Sequence, residues 1–210
     1  MDDNSLLEVD WPGGVAVSRD VSMLLSDGTR LSTDIYRPKS DALLPSLLMR
    51  LPYDKRIAES TVGYAHPSWY ASHGYQVVVQ DTRGCFLSEG SFYPFANEGI
   101  DGFEAVEWAA RLPGSDGRVS TFGSSYSGLA QLLTGIRRPP SLKALCPVFS
   151  PSKLFDGWVY NHGIFNRAFI YQWVLSRILE QEERDSAETI EKNDPKYISN
   201  NISRFSSSSC

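Results

Sequence analysis

The residues Gly123-Ser124-Ser125-Tyr126-Ser127-Gly128 follow a stretch, Arg118 to Phe122, that reads as a strand, and precede a run through Leu129, Leu132 and Leu133 that reads as a helix. A strand turning sharply into a helix at a serine lifts the hydroxyl above the sheet edge, which is how a nucleophile elbow presents its attacking oxygen. Strand and helix backbones approach closely there, so small residues are needed two positions to either side. Ser125 puts Gly123 and Ser127 at those positions; the common elbow has glycine at the second, and here Gly128 comes one residue later. Ser124 would put Phe122 and Tyr126 there, so Ser125 is the candidate nucleophile. A serine-rich turn without chemistry is the plainer reading of the hexapeptide taken alone.

A serine hydroxyl attacks a carbonyl only when a base takes its proton and donors hold the resulting oxyanion. The elbow supplies one donor by its geometry, the backbone N–H of Tyr126. A second is expected from the loop after an earlier strand, Arg50-Leu51-Pro52-Tyr53-Asp54-Lys55. That loop has no glycine-rich segment for a backbone donor. The phenol of Tyr53 is available for the role, and an ordinary half-buried tyrosine is the alternative.

These residues need a sheet to hold them. Val15 to Pro38 reads as two strands joined at Ser26-Asp27-Gly28, an Asp-Gly hairpin signal. After Pro45, read as a breaker, comes the short apolar run Leu47-Leu48-Met49. A helix around Trp69, Tyr70 and Ala71 closes at His73-Gly74, and Tyr75 to Val79 is an apolar strand ending in Gln80-Asp81-Thr82-Arg83-Gly84. Ile100, Phe103, Val106 and Ala110 mark one face of a helix, with Asn97 as its N-cap and Asp101 and Glu104 near its positive end. Pro139-Pro140 stops the helix after the elbow, and Leu142 to Val148 is a further strand. Strands alternating with helices imply an α/β fold, a mostly parallel sheet covered on both faces, with the leading hairpin as an antiparallel edge. Beyond about Pro151 helical spacing returns at Ile170, Trp173, Val174 and Ile178, and no further strand is read. Glu180 to Asp194 reads as a solvated acidic helix face, Asn201-Ile202-Ser203 as a chance glycosylation triplet, and Ser206 to Cys210 as low-complexity sequence.

Composition narrows the function classes. The 210 residues carry a net charge of −5, with 41% hydrophobic and 21% charged side chains. That suits a globular chain and disfavours nucleic-acid binding, which needs clustered Lys and Arg. No apolar run approaches a membrane span, and the acidic start is unlike a signal peptide, so the default expectation is a cytoplasmic protein. Cys85, Cys146 and Cys210 are too dispersed for a zinc site or a disulfide framework.

Four segments together resemble the cocaine esterase/X-Pro dipeptidyl-peptidase group of α/β-hydrolases, the CocE/NonD hydrolases. They are Ser26-Asp27-Gly28-Thr29-Arg30-Leu31 with Asp34-Ile35-Tyr36-Arg37-Pro38, then Leu51-Pro52-Tyr53-Asp54-Lys55, then Asp81-Thr82-Arg83-Gly84 with Ser88-Glu89-Gly90, and Gly123-Ser124-Ser125-Tyr126. The likeness runs from about residue 15 to about residue 180. It implies an α/β-hydrolase fold whose N-terminal part occupies 1–150, a partial helical cap over 151–200 and a low-complexity tail over 201–210. It implies a serine hydrolase acting on a small-molecule ester, amide or peptide, with no metal or organic cofactor. Ser125 becomes the nucleophile, and the Tyr53 hydroxyl and Tyr126 N–H the oxyanion donors. Arg83 is expected to brace the scaffold through an ion pair.

The resemblance also implies what should follow. In α/β-hydrolases the acid and the histidine come after the nucleophile on later strands, and in this family after the cap. His66 and His73 precede Ser125, and His162 falls in the cap-like segment Asp156 to His162, so none is read as the base. Family members that hold a substrate amine tend to carry carboxylates where Asn161-His162 stand, which favours a neutral acyl group. The expectation is a serine hydrolase lacking its triad acid and histidine, and an exposed apolar sheet edge. The alternative is a non-catalytic truncated product or binding module.

Overall fold

The computed structural model describes residues 8–59, 64–153, 155 and 157–176. The acidic run, the glycosylation triplet, Ile178 and the serine tail lie outside them. The chain divides into two units, Met1–Lys153 and Leu154–Cys210.

The first unit is built on a seven-stranded sheet ordered β1-β2-β3-β5-β4-β6-β7. Its strands are β1 (Glu8–Trp11), β2 (Val15–Leu24), β3 (Arg30–Pro38), β4 (Leu44–Leu51), β5 (Gln76–Asp81), β6 (Ser115–Ser124) and β7 (Leu142–Val148). β5, β4, β6 and β7 run parallel. β1, β2 and β3 form an antiparallel edge that joins them through β3 against β5. The hairpin turns at Gly28, whose φ of 87° is open to glycine without strain. β1 was not anticipated, since its polar–apolar alternation spans only four residues and rests on Glu8 and Asp10, types depleted in strands.

Pro45 does not break the chain. It lies inside β4, where the register with β6 shifts between Leu44 and Ser46, and a bulge is where a strand tolerates a residue without an N–H.

Helices cover both faces, as the alternation implies. Val77 and Val79 point to one side of β5, joining Val15, Val17, Tyr36, Met49, Leu51 and Ala71 of helix α1 (Pro67–Ser72). Val78 points to the other, joining Met23, Leu31, Leu48 and Val119 with Ala105, Val106 and Ala109 of α2 (Glu98–Ala110). The buried face of α2 is rotated from the one that apolar spacing picks out. Ile100 is 51% exposed, while Glu98, Asp101 and Gly102 face inward. Asn97 stands at the N-cap position, but its side chain makes no capping bond. Helix α3 (Tyr126–Ile136) follows β6 and packs beside α2.

The inward Asp101 is explained by Arg83. Its guanidinium donates in a fork to both Asp101 oxygens, Nε at 2.9 Å and Nη2 at 2.8 Å, and Nη1 reaches Asp27 at 2.7 Å and Thr29 at 2.8 Å. This scaffold role was expected: Arg83 ties the hairpin turn and the start of α2 to the end of β5. The Thr29 N–H and Arg83 together hold the Asp27 carboxyl down to about 2. Arg83→Ala would strand the buried Asp101 carboxylate, so stability should fall by about 3 kcal/mol, read as a lower urea midpoint at constant m-value. A loss below about 0.5 kcal/mol, typical of an exposed pair, would refute that role.

β7 leaves its outer edge unpaired among the described residues. Leu145 and Val148 are partly exposed, and Phe149 just beyond is 93% exposed. No described helix is long and apolar enough to cross a membrane.

In the second unit, β8 (Tyr160–Asn161) and β9 (Ile164–Phe165) form a hairpin, correcting the expectation of no further strand. His162 and Gly163 make its turn at φ 49° and 81°, positive at both positions as a two-residue hairpin demands. A helix over 167–176 follows, carrying Ile170, Trp173 and Val174.

Candidate active site

β4 lies between β5 and β6, so the loops leaving their C-terminal ends meet. In parallel sheets ligands bind outside those ends. Tyr53 follows β4, Asp81 ends β5 and Ser125 follows β6.

Ser125 adopts φ 54° and ψ −117° at the junction of β6 with α3. A serine at positive φ is strained, and such strain persists only where the surroundings enforce it. Its N–H donates to Val148 O at 3.0 Å, while its carbonyl accepts from Gly128 and Leu129 at 3.1 Å each. Its hydroxyl makes no hydrogen bond among the described residues. The flanking small residues are needed on steric grounds. A Cβ on Gly123 (φ 143°) would come within 2.6 Å of Ser127 Cβ, and one on Gly128 within 2.5 Å of Ser150 Cβ. So Ser127 is accommodated because Gly123 faces it, and Gly128 makes room for the chain after β7.

Tyr126 opens α3 beside this serine, where the first N–H groups point out of the helix end. Its side chain is buried. The phenol donates to Glu98 Oε1 at 2.9 Å and accepts from Phe95 N–H at 3.1 Å, and the ring stacks on Phe95 at 4.2 Å. Burial, and then Glu98, push the phenol pKa well above its ordinary value. Glu98 is itself held by Arg50 Nη1 at 2.6 Å, so a buried ion pair from β4 and α2 fixes the residue after Ser125. Nothing in the sequence marks Glu98 or Arg50 for this task; only the inward rotation of α2 reveals it.

Tyr53 meets Tyr126 edge-on, ring centres 6.4 Å apart at 79°. The structure thus brings together the expected residues Tyr53 and Tyr126, with Ser125 adjoining Tyr126 in the chain. His66 and His73 instead bracket α1: His66 Nδ1 accepts from Ser68 N–H at 3.1 Å, and the His73 ring stacks on Trp69 at 4.0 Å.

Next to Tyr53 in the chain, Lys55 enters a buried charge cluster that joins Asp34 and Asp81 of the family-like segments to Arg19 and Asp20, a meeting that the sequence does not announce. Lys55 is 1% exposed, and its ammonium reaches Asp20 at 2.6 Å, Asp81 at 3.4 Å and Asp34 at 3.8 Å. Arg19 pairs with Asp34 at 2.6 Å. The β2 bulge between Ser18 and Val21, with Asp20 at φ 54°, turns both Arg19 and Asp20 toward this group. Burial pushes Asp81 up to about 6 despite Lys55. A carboxyl higher in the folded than the unfolded state favours folding below about pH 4, an advantage lost as pH rises through about 6. Asp81→Asn, neutral throughout, should therefore match the wild type near pH 4 and gain on it by up to about 3 kcal/mol by pH 8, two units at about 1.4 kcal/mol each. Denaturation at both pH values checks this; a pH-independent difference would contradict it.

Comparison with known proteins agrees with this architecture. Residues 27–204 match the family described as X-Pro dipeptidyl-peptidase (S15 family). Cocaine esterase of Rhodococcus is 37% identical over 155 residues, 72% of this chain and 26% of that protein. A putative serine esterase of Mycobacterium bovis is 26% identical over 169 residues, 71% of this chain and 27% of that protein. The chain spans about a quarter of the length of these curated relatives. Among solved structures, a CocE/NonD family hydrolase from Staphylococcus aureus superposes with a TM-score of 0.69 at 25% identity, covering 78% of this chain and 33% of that one. An α-amino acid ester hydrolase gives 0.61 at 25% identity, covering 79% and 30%. The fold is shared with these hydrolases and the family match extends over most of the sequence: the chain belongs to the X-Pro dipeptidyl-peptidase (S15) family.

Proposed function

We propose that this chain carries the nucleophile and the oxyanion-binding half of a serine hydrolase site that cleaves small esters or amides, X-Pro peptides among them, through an acyl-enzyme. The observation that carries the reading is Ser125 at φ 54° between a parallel strand and a helix. In the first step Ser125 Oγ forms a bond to the acyl carbon and gives its proton to a base, and the carbonyl π electrons move onto oxygen. The Tyr126 N–H and the Tyr53 hydroxyl donate to that oxyanion. Its collapse expels the alcohol or amine, which takes the proton. Water then repeats the sequence on the acyl-serine and releases the acid. The base and the acid that orients it come from outside residues 15–150, since His66 and His73 are engaged at the ends of α1. No metal or organic cofactor enters these steps.

A fluorophosphonate tests this, because it reacts only with an activated serine. In the intact protein it is expected to label one residue stoichiometrically, and the modified peptide is expected to contain Ser125. Label on another serine would overturn the assignment. No label at all would favour the non-catalytic reading.

A further inference from the structure

We propose that Asp81 is a positioning residue for the Tyr53 hydroxyl, acting through Lys55. The proposal rests on the reading of Tyr53 as an oxyanion donor and adds what holds it in place. Only Pro52, Tyr53 and Asp54 separate the end of β4 from the 3-10 turn that begins at Lys55. An oxyanion donor must stand within a few tenths of an ångström of its mark, which requires both ends of so short a loop to be fixed. One end is fixed by the sheet, where Thr82 N–H donates to Leu51 O at 3.0 Å. The other is held at Lys55, whose ammonium also faces Asp20 at 2.6 Å and Asp34 at 3.8 Å, but whose backbone N–H and ammonium are both engaged by Asp81. Its Oδ1 accepts the Lys55 backbone N–H at 2.6 Å, and its Oδ2 faces the Lys55 ammonium at 3.4 Å. Between them Asp54 sits at φ 71°, a left-handed conformation open to aspartate, and its Oδ1 accepts the Arg56 N–H at 2.9 Å, which tightens the turn into Lys55.

Stability does not account for this arrangement. Asp81 and Asp34 are fully buried and Lys55 nearly so. Burying ions costs desolvation that their attraction often fails to recover, and apolar replacements are commonly neutral or stabilising. The burial that raises the Asp81 carboxyl points the same way. What the cluster does secure is the direction of the chain through Tyr53. Asp20 and Asp34 remain to neutralise Lys55 when Asp81 loses its charge, so Asp81 can be altered without leaving the ammonium alone.

The experiment uses the intact protein and a p-nitrophenyl ester, with Asp81→Asn made alone and in the Tyr53→Phe background. Asn keeps an oxygen for the Lys55 N–H but drops the hold on the ammonium. Expected are a roughly tenfold fall in kcat, KM within about twofold, and a urea midpoint at pH 8 at or above the wild type. In the Tyr53→Phe background Asp81→Asn should lower kcat no further, because the group it positions is gone. A midpoint that falls together with kcat, an unchanged kcat, or the same fold-loss in both backgrounds would overturn the proposal. If Asp81→Asn does not fold, Asp81→Glu keeps the charge and displaces the acceptor by one methylene. It should show the same dependence on Tyr53, and equal losses in both backgrounds would again overturn the proposal. Tyr53→Phe with wild-type kcat would instead remove the donor reading beneath it, a result separable from the others.

Discussion

Ser125→Ala in the intact protein is expected to lower kcat for an ester by ten-thousand- to million-fold, about 5–8 kcal/mol of barrier. The size follows from the role: without Oγ there is no acyl-enzyme, and the remaining oxyanion donors can only assist attack by water. KM should change little, because the hydroxyl contributes to the bond being made rather than to holding the substrate. Ser125→Gly separates this loss from damage to the fold. At φ 54° a glycine removes strain of about 1 kcal/mol, so that variant should be inactive and slightly more stable. Turnover within tenfold of wild type in either variant would exclude Ser125 as nucleophile.

Tyr53→Phe is expected to lower kcat by about 10²–10³-fold, or 2.7–4 kcal/mol, the loss typical of one deleted oxyanion donor. The ring remains against Tyr126, so packing is preserved and the urea midpoint should stay within about 0.5 kcal/mol of wild type. Deletion of a donor used in the transition state lowers kcat and kcat/KM together, so KM is again the control. A raised KM with unchanged kcat would mean that Tyr53 contacts the substrate and not the oxyanion.

The parts of this site legible in the sequence are those fixed by local sterics. Gly28 announced the hairpin because the turn needs positive φ, and the small residues around Ser125 announced the elbow because two backbones cross there. The residues that escaped notice are polar groups whose burial depends on a distant partner. Apolar spacing misplaced the inner face of α2 because Glu98 and Asp101 look like surface residues until Arg50 and Arg83 are seen to meet them. Lys55 reads as a loop lysine, and it is enclosed by the β2 bulge, Asp34 of β3 and the end of β5. Pro45 misled for a related reason, since the irregularity that tolerates a proline is a property of the pairing with β6 and not of the residue.

The insertion of β4 between β5 and β6 sets a timetable for this protein. Tyr53 and Ser125 are made some seventy residues apart, and the Ser125 N–H is anchored to Val148, at the far end of a strand synthesised later still. At about 5–20 residues per second, the ribosome takes seconds between the first of these groups and the last. Until β7 emerges and docks, the Ser125 N–H lacks its acceptor on Val148, and the turn has one anchor fewer to hold it at φ 54°. Order at this position is therefore a clock for assembly, and limited proteolysis of nascent chains of increasing length would read when the sheet closes.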